Sequence, residues 1–441
     1  MSTVHIVGGG LAGLAAALAL TARGRRVSLY EAGPACGGRA RSYDDKQLGC
    51  RIDNGNHLLL SANDTVFRYL DAIGARDTLV GPGKPVFPFH DLADDTHWSL
   101  RLSRGRIPWW VLNRRSRVPG MTLGEMSGLV RMLKAGPDAT VSQCLRPGAL
   151  ADRLMVPLSV SVLNTRPEAG SAALMGRVMR ESMAKGGDAC VPWFPAEGLS
   201  ESLVDPAVAL LRRRGAEIRT GCRVAALEPA QGRVGALMLP EGRRNLEPGD
   251  SVVLALPAQS VRDVAAIVLP ELIVPDAFES ILNLHYRADV LDRITGDLRL
   301  ARFAGVIGGV TEWVFVKPGI LSVTVSAANH LAERASAELA ETIWREVRAV
   351  VLPYLRRNDQ ALLPETTPPH RLVREKRATF AATPAQEKLR PESRTRLSNL
   401  VLAGDWTATG LPATIEGAMR SGLAAAGVLC AARTGSVAFQ S

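Results

Sequence analysis

The first forty residues constrain this chain more than any other stretch. Val4-His5-Ile6-Val7 reads as a buried strand, Gly8-Gly9-Gly10-Leu11-Ala12-Gly13 as a tight turn that opens a helix, and Val27-Ser28-Leu29-Tyr30-Glu31 as a second strand ending in an acid. That order of elements builds a dinucleotide site. Gly8 allows the turn, Gly10 lets a pyrophosphate approach the backbone, and Gly13 lets the helix lie close to the strand. The helix start aims free N–H groups and a partial positive charge at the phosphates. Glu31 stands 18 residues beyond Gly13, where an acid accepts hydrogen bonds from a ribose diol. Glycine clusters are usually just turns. Here the cluster follows a β-branched strand, opens a helix and is answered by an acid at the right distance. Leu11, Ala12 and Ala32 belong to the same expected site by position.

With 441 residues, 46% of them apolar, the chain is long enough for two or three domains or one large interleaved unit, and nothing suggests bulk disorder. It starts directly in the first strand, which leaves no room for a signal peptide. Its most apolar early run, Leu11 to Leu20, is too short to span a bilayer. The expectation is a cytoplasmic protein, or one attached to the inner face of the membrane. Cys36, Cys50, Cys144, Cys190, Cys222 and Cys430 form no CxxC pair, which argues against a redox-active disulfide and a structural zinc site. No HExxH or comparable cluster suggests a catalytic metal.

The formal net charge is +10, and only seven of the 53 basic residues are lysines. The bland reading is compositional bias. The sharper one is an anionic partner surface. Between Arg101 and Arg117 stand six arginines (101, 104, 106, 114, 115 and 117) and no acid, with Ile107, Trp109, Trp110, Val111 and Leu112 among them. Apolar side chains flanked by arginines suit the headgroup boundary of an anionic membrane. The alternative is a solvated basic loop with its tryptophans folded into the core. No nucleic-acid-binding motif is present.

Beyond the βαβ unit, 206–214 reads as a helix, 217–227 and 233–239 as strands, 251–257 and 400–405 as buried strands, and Thr414 to Ala432 as a helix. Helical patches fall at 121–134, 171–185 and 331–351, strands within 300–326, and a proline-rich connector at 364–370. The fold class is α/β. A discontinuous Rossmann-type domain takes residues 1–75, 205–260 and 385–441, and an interleaved α+β domain for substrate and membrane takes 76–204 and 261–384. Such a boundary places the ligand between domains.

Only one GxGxxG sits in a strand–turn–helix setting, so no second nicotinamide domain is expected. The single site suits NAD or FAD. Gly37-Gly38-Arg39 offers bare backbone and a cation to a long cofactor. Gly404-Asp405, after a late strand, suits a ribityl chain. The helix opening at Thr414-Ile415-Glu416 can aim its N-terminus at a flavin's pyrimidine edge, where negative charge collects on reduction.

VHIVGGGLAGLAAALAL with Glu31, GGRARS, VVLALPA and LAGDWTATGLPATIEGAMRSG together resemble the amine oxidase/phytoene desaturase group of flavoproteins. The likeness is strong at both ends and over 217–257, and looser in the inserts. Ile52-Asp53-Asn54-Gly55-Asn56-His57-Leu58-Leu59-Leu60 resembles the squalene-associated branch, the hydroxysqualene dehydroxylases of bacterial hopanoid synthesis. The resemblance implies FAD at Gly8, Gly10, Gly13, Glu31, Gly38, Arg39, Val224 and Asp405, with Pro257 alongside. It places Gly55, Asn56, His57, Leu58, Ala413, Thr414, Ile415 and Glu416 near the isoalloxazine. That branch usually has glutamine where this chain has Asn56, an exchange that keeps the amide and shortens its reach.

The implied reaction removes the allylic hydroxyl of hydroxysqualene and replaces it with hydride from reduced flavin, giving squalene. Departure of the hydroxyl as water needs a proton donor, and a positioned general acid is worth about 10²–10⁴-fold. His57 and Asp53 bracket the loop and are the expected pair, with a purely structural histidine as the alternative for His57. Glu416 better suits the helix start. Met121, Met126, Leu129, Met132 and Leu133, and the Met175/Met179/Met183 ladder, either line a tunnel for the long substrate or form plain core. A mouth near Trp109-Trp110 would admit substrate from the membrane, and a transient donor would reduce the flavin. The competing readings are a carotenoid-type desaturase or other FAD oxidase, and a non-catalytic prenyl-binding protein of the same fold.

Overall fold

The computed structural model describes residues 2–431. Its opening unit is β1 (Thr3–Val7), α1 (Leu11–Thr21) and β2 (Arg26–Tyr30). β1 pairs in parallel with β2 on one side and with Ser251–Leu254 on the other. Glu217–Arg219 extends the sheet beyond β2, and Leu400–Leu402 extends it beyond Ser251–Leu254, both in parallel. Strands from three separated stretches thus share one five-stranded parallel sheet. A parallel sheet is covered on both faces, which is why Val4, Ile6, Leu29, Val253 and Val401 are all buried and the strands read as near-continuous apolar runs.

α1 is apolar on every side, and all ten residues from Leu11 to Leu20 are buried. It lies between the sheet and the Ile415–Cys430 helix. Small side chains permit the approach. A Cβ on Gly422 would stand 2.2 Å from the Ala12 carbonyl oxygen, so only glycine lets the two helices meet at this distance. The last helix ends at Cys430, and its expected end, Ala432, lies outside the described residues.

A second sheet has seven strands, in the order His370–Phe380, Phe278–Arg287, Ile320–Val325, Trp313–Lys317, Phe303–Ile307, Val86–Asp91 and Thr96–Arg101. One face carries Leu284, Val323, Val314 and Ala304 onto the amphipathic Ser336–Val351 helix, where Trp344 is fully buried. Directly opposed residues of neighbouring strands share a face. On the other face one row therefore runs Asn283, Thr324, Trp313, Gly305, Phe89 and Trp98, and the next runs His285, Ser322, Phe315 and Phe303. That face is polar at one end and aromatic at the other.

Several expectations need correction. The 217–227 stretch is not one strand. It pairs only through Arg219, turns at Gly221 (φ 64°), where Cys222 N donates to Glu31 O (2.9 Å), and resumes as Ala226–Ala230. The helices are also shorter than their apolar patterns, at Met126–Leu133, Ala172–Glu181 and Ser336–Val351. The methionines follow the plain-core reading. Met121, Met132, Met175 and Met179 are buried in one core cluster with Leu129, Val141 and Leu154, where Met132 and Met175 join two packed helices.

Gly422→Ala is expected to force the α1 contact apart, at the overpacking cost of about 1–3 kcal/mol, and to lower the melting temperature. A thermal melt indistinguishable from wild type would show that the helices have room to separate.

Candidate active site

The turn after β1 is shaped by two close approaches. Gly8 has φ 107°, and a Cβ on it would stand 2.4 Å from Ala255 O; one on Gly13 would stand 2.0 Å from Gly8 O. Gly10 caps α1 with no side-chain hydrogen bond, and a Cβ there would meet nothing within 4 Å. The positive end of α1 thus faces open space with its first N–H groups free, which is what a pyrophosphate requires. Glu31 accepts hydrogen bonds from Gly9 N (2.8 Å) and Gly33 N (2.7 Å), which fix its carboxylate beside the turn. Gly37 N donates to Gly9 O (2.8 Å), so Gly37 and Gly38 lie against Gly10. The turn at Gly221–Cys222 carries the segment with buried Val224 past Glu31.

The far end of the sheet is braced separately. Arg39 pairs with Asp405 Oδ1 (2.7 Å). The buried Arg390 donates to Asp405 O (3.1 Å) and Thr409 Oγ1 (2.9 Å). Ser421 Oγ accepts from Gly404 N (2.9 Å) and donates to Thr407 Oγ1 (2.6 Å), whose own proton goes to Gly404 O (2.9 Å). Trp406 Nε1 donates to Leu256 O (2.8 Å), which ties the Gly404–Trp406 corner to Pro257. Thr414 Oγ1 accepts from Gly417 N (3.0 Å) and starts the last helix, with Ala413 and Ile415 on either side. The Glu416 side chain is engaged by a neighbouring helix. Its carboxylate accepts from Thr65 N (3.2 Å) and Val66 N (3.0 Å) at the start of the Asp64–Ile73 helix and from Arg420 Nε (2.6 Å). Two unsatisfied backbone donors claim it.

The Asn54–His57 loop meets the polar end of the second sheet. Asn56 Nδ2 donates to Ser322 Oγ (2.8 Å) and Thr324 Oγ1 (3.0 Å). Thr324 in turn donates to Asn283 Oδ1 (2.8 Å), and Asn283 Nδ2 to Asn54 O (3.3 Å). Since the Thr324 hydroxyl proton is spent on Asn283, Thr324 can only accept from Asn56. This fixes the Asn56 amide and leaves its buried Oδ1 without a protein donor. Ser322 Oγ also meets His285 Nδ1 (2.8 Å). Burial pushes His285 down to about 4, so it is neutral.

The surroundings of the expected acid pair favour the unprotonated form of each residue. Asp53 is buried against Lys317 Nζ (2.7 Å) and accepts from Ser42 Oγ (2.7 Å) and Leu199 N (2.9 Å). Burial acts to raise its carboxyl, but Lys317 and these donors outweigh it and hold the pKa below the ordinary value. Burial pushes His57 down to about 4. Glu312, just before the Trp313–Lys317 strand, accepts from Ser326 N (2.7 Å), and burial raises it to about 7. Lys317, Asn283, His285, Ser322, Thr324 and Glu312 were missed in the sequence. The signal was there in polar residues at alternate positions of otherwise apolar strands, Asn283/His285 and Ser322/Thr324.

The free helix start, the bare Gly10 and the orphaned Asn56 Oδ1 fit a long dinucleotide that reaches from α1 to the Asn54–His57 loop. Fold and site together define an FAD-binding α/β flavoprotein. The chain belongs to the flavin containing amine oxidoreductase family, whose model matches residues 11–288 and 312–430. Within it, the chain is similar to hydroxysqualene dehydroxylase of Rhodopseudomonas palustris, with 44% identity over 98% of this chain and 99% of that protein. A chloroplastic/chromoplastic 15-cis-phytoene desaturase of an Oncidium hybrid is more distant, at 24% identity over 95% of this chain and 76% of that protein. Cyclohexylamine oxidase from Brevibacterium oxydans shares the fold, with a TM-score of 0.70 at 13% identity, covering 98% of this chain and all of that one.

Lys317→Met would leave Asp53 buried without its partner, and a loss of about 3–5 kcal/mol in denaturant stability at neutral pH is expected. The folded carboxyl titrates below its unfolded value of about 3.9. Its contribution is therefore full above that pH and fades as pH falls through the folded value. The advantage of wild type over the variant should shrink below about pH 4. Equal stability of the two at neutral pH would overturn the pairing.

Proposed function

We propose that this chain removes the allylic hydroxyl of hydroxysqualene reductively, giving squalene, with FAD as its cofactor. FAD, when bound and reduced, supplies the hydride. The observation that carries the reading is the likeness to hydroxysqualene dehydroxylase over nearly the full length of both chains. In the second sheet, Asn283, His285, Ser322 and Thr324 form a small polar patch against the Asn54–His57 loop, which suits a single hydroxyl. Trp313, Phe315, Phe303, Phe89 and Trp98 continue the same face inside a packed core cluster. Asn56 Oδ1 and the neutral His57 sit at the polar end, and Asp53 keeps the loop in place through Lys317. In this reading Gly8, Gly10, Gly13, Glu31, Gly37, Gly38, Arg39, Val224, Gly404 and Asp405 hold the cofactor. Residues 1–75, 205–260 and 385–441 form its domain, and a separate transient donor reduces it.

Purified protein with reduced FAD under anaerobic conditions is expected to convert hydroxysqualene to squalene, read by mass spectrometry. Desaturation of phytoene-like polyenes without squalene formation would favour the desaturase reading instead.

The membrane reading rests on the Arg101–Arg117 segment. Ile107, Trp109 and Leu112 are 57%, 60% and 59% exposed, while Trp110 and Val111 are buried in the core cluster that holds Phe89, Trp98 and Trp313. The segment is thus rooted in the aromatic end of the sheet and presents three apolar side chains among exposed Arg104, Arg106, Arg114 and Arg115. Among the described residues no helix is long and apolar enough to cross a membrane, so contact of this kind would be at the surface. Trp109→Ser with Leu112→Ser should reduce co-sedimentation with phosphatidylglycerol vesicles and leave the fold intact. Unchanged sedimentation would end the docking idea.

A further inference from the structure

The Val86–Asp91 and Thr96–Arg101 strands form a hairpin at the edge of the seven-stranded sheet, and its tip reads His90-Asp91-Leu92-Ala93-Asp94-Asp95-Thr96-His97. His90 and His97 are directly paired across it, with ring centroids 3.8 Å apart. The turn holds Asp95 in the left-handed region (φ 53°), with its Oδ1 3.0 Å from His90 Nε2. One ligand atom from each of His90, Asp95 and His97 lies within 4.8 Å of the other two.

These groups are poorly served by the protein. His90 is 1% exposed, yet its Nδ1 has no hydrogen-bond partner, and its contact with Asp95 lacks the alignment of a hydrogen bond. His97 Nε2 is likewise buried without a partner. Two facing imidazoles with unsatisfied nitrogens are an uncommon arrangement in a finished core. The other acids of the tip are otherwise engaged: Arg153 pairs with Asp91 (3.3 Å) and Asp94 (2.6 Å).

We propose that His90, Asp95 and His97 bind a divalent transition-metal ion, zinc by its chemistry. Two imidazoles and one carboxylate suit zinc with water in the fourth position, and the set is too poor in oxygen for calcium or magnesium. Bonds of about 2.0–2.2 Å place tetrahedral donors about 3.4 Å apart, so Asp95, which is exposed, closes inward to complete the set. The ion would cross-link the two strands just beyond Phe89 and Trp98, whose stacked rings (4.6 Å) form the aromatic end of the sheet. Its role would be to hold that hairpin rather than to act on substrate. The sequence reading passed over this cluster because its histidines are seven residues apart, a spacing that only a hairpin brings together.

The test is titration of flavin-loaded protein, freed of metals by a chelator, with Zn2+ by calorimetry and with Co2+ by visible absorption. One ion per chain and an intense tetrahedral Co2+ spectrum are expected. Asp95→Asn and His97→Gln, which leave the buried His90 in place, should weaken binding by more than about tenfold with the flavin spectrum unchanged. Zn2+ should raise the melting temperature of wild type but not of His97→Gln. Absence of saturable binding, or equal affinity in wild type and both variants, would overturn the proposal.

Discussion

The close approach of α1 to its surroundings is the constraint on which the rest depends. α1 can aim its N-terminus at a phosphate only if it lies tight against β1 on one side and the last helix on the other. Gly8, Gly13 and Gly422 each stand where a Cβ would fall within 2.4 Å of a backbone oxygen. The alanine-rich body of α1 follows from the same requirement, since larger side chains would lift the helix from the sheet. Because the last helix completes this packing, residues some four hundred positions apart share one core, and the cofactor site at the strand ends draws on both.

The second organising contact is the Asn54–His57 loop. It leaves the first glycine-rich region and docks on a different sheet through Lys317, Asn283, Ser322 and Thr324. Thr324 and Asn283 fix each other's roles within that network, and buried hydrogen bonds of this kind favour one geometry. Asn56 makes two donations through its shortened amide, while its Oδ1, like His285 Nε2, faces no protein partner. The charge arrangement is equally definite: the Asp53 carboxylate is compensated by Lys317, while His57 and His285 are kept neutral by burial.

Much of the parallel sheet was legible in the chain. β1, α1, β2 and the Ser251–Leu254 and Leu400–Leu402 strands fall within their apolar runs and glycine turns, as does the Arg233–Leu239 strand of a separate antiparallel sheet. Local periodicity and turn chemistry suffice where a segment is apolar and bounded. The 217–227 stretch misled because its alternation continues through a turn enforced by hydrogen bonds to Gly33 and Glu31, which the local pattern does not contain. The methionine ladder left tunnel and core both open for a related reason. Helical spacing says that side chains share a face, but not whether a tunnel or another helix lies opposite.

The chain by itself determined the dinucleotide turn, the acid that follows it and the family likeness carried by its two ends, because these depend on short-range spacing of glycines, strands and helix starts. Tertiary structure decided what each charged side chain does. Glu416 was drawn to the exposed N–H groups of a neighbouring helix, Asp53 to a lysine 264 residues away, and His90 to His97 across a hairpin. Protonation and partnership depend on burial and on which groups meet in space, and neither is written in local sequence.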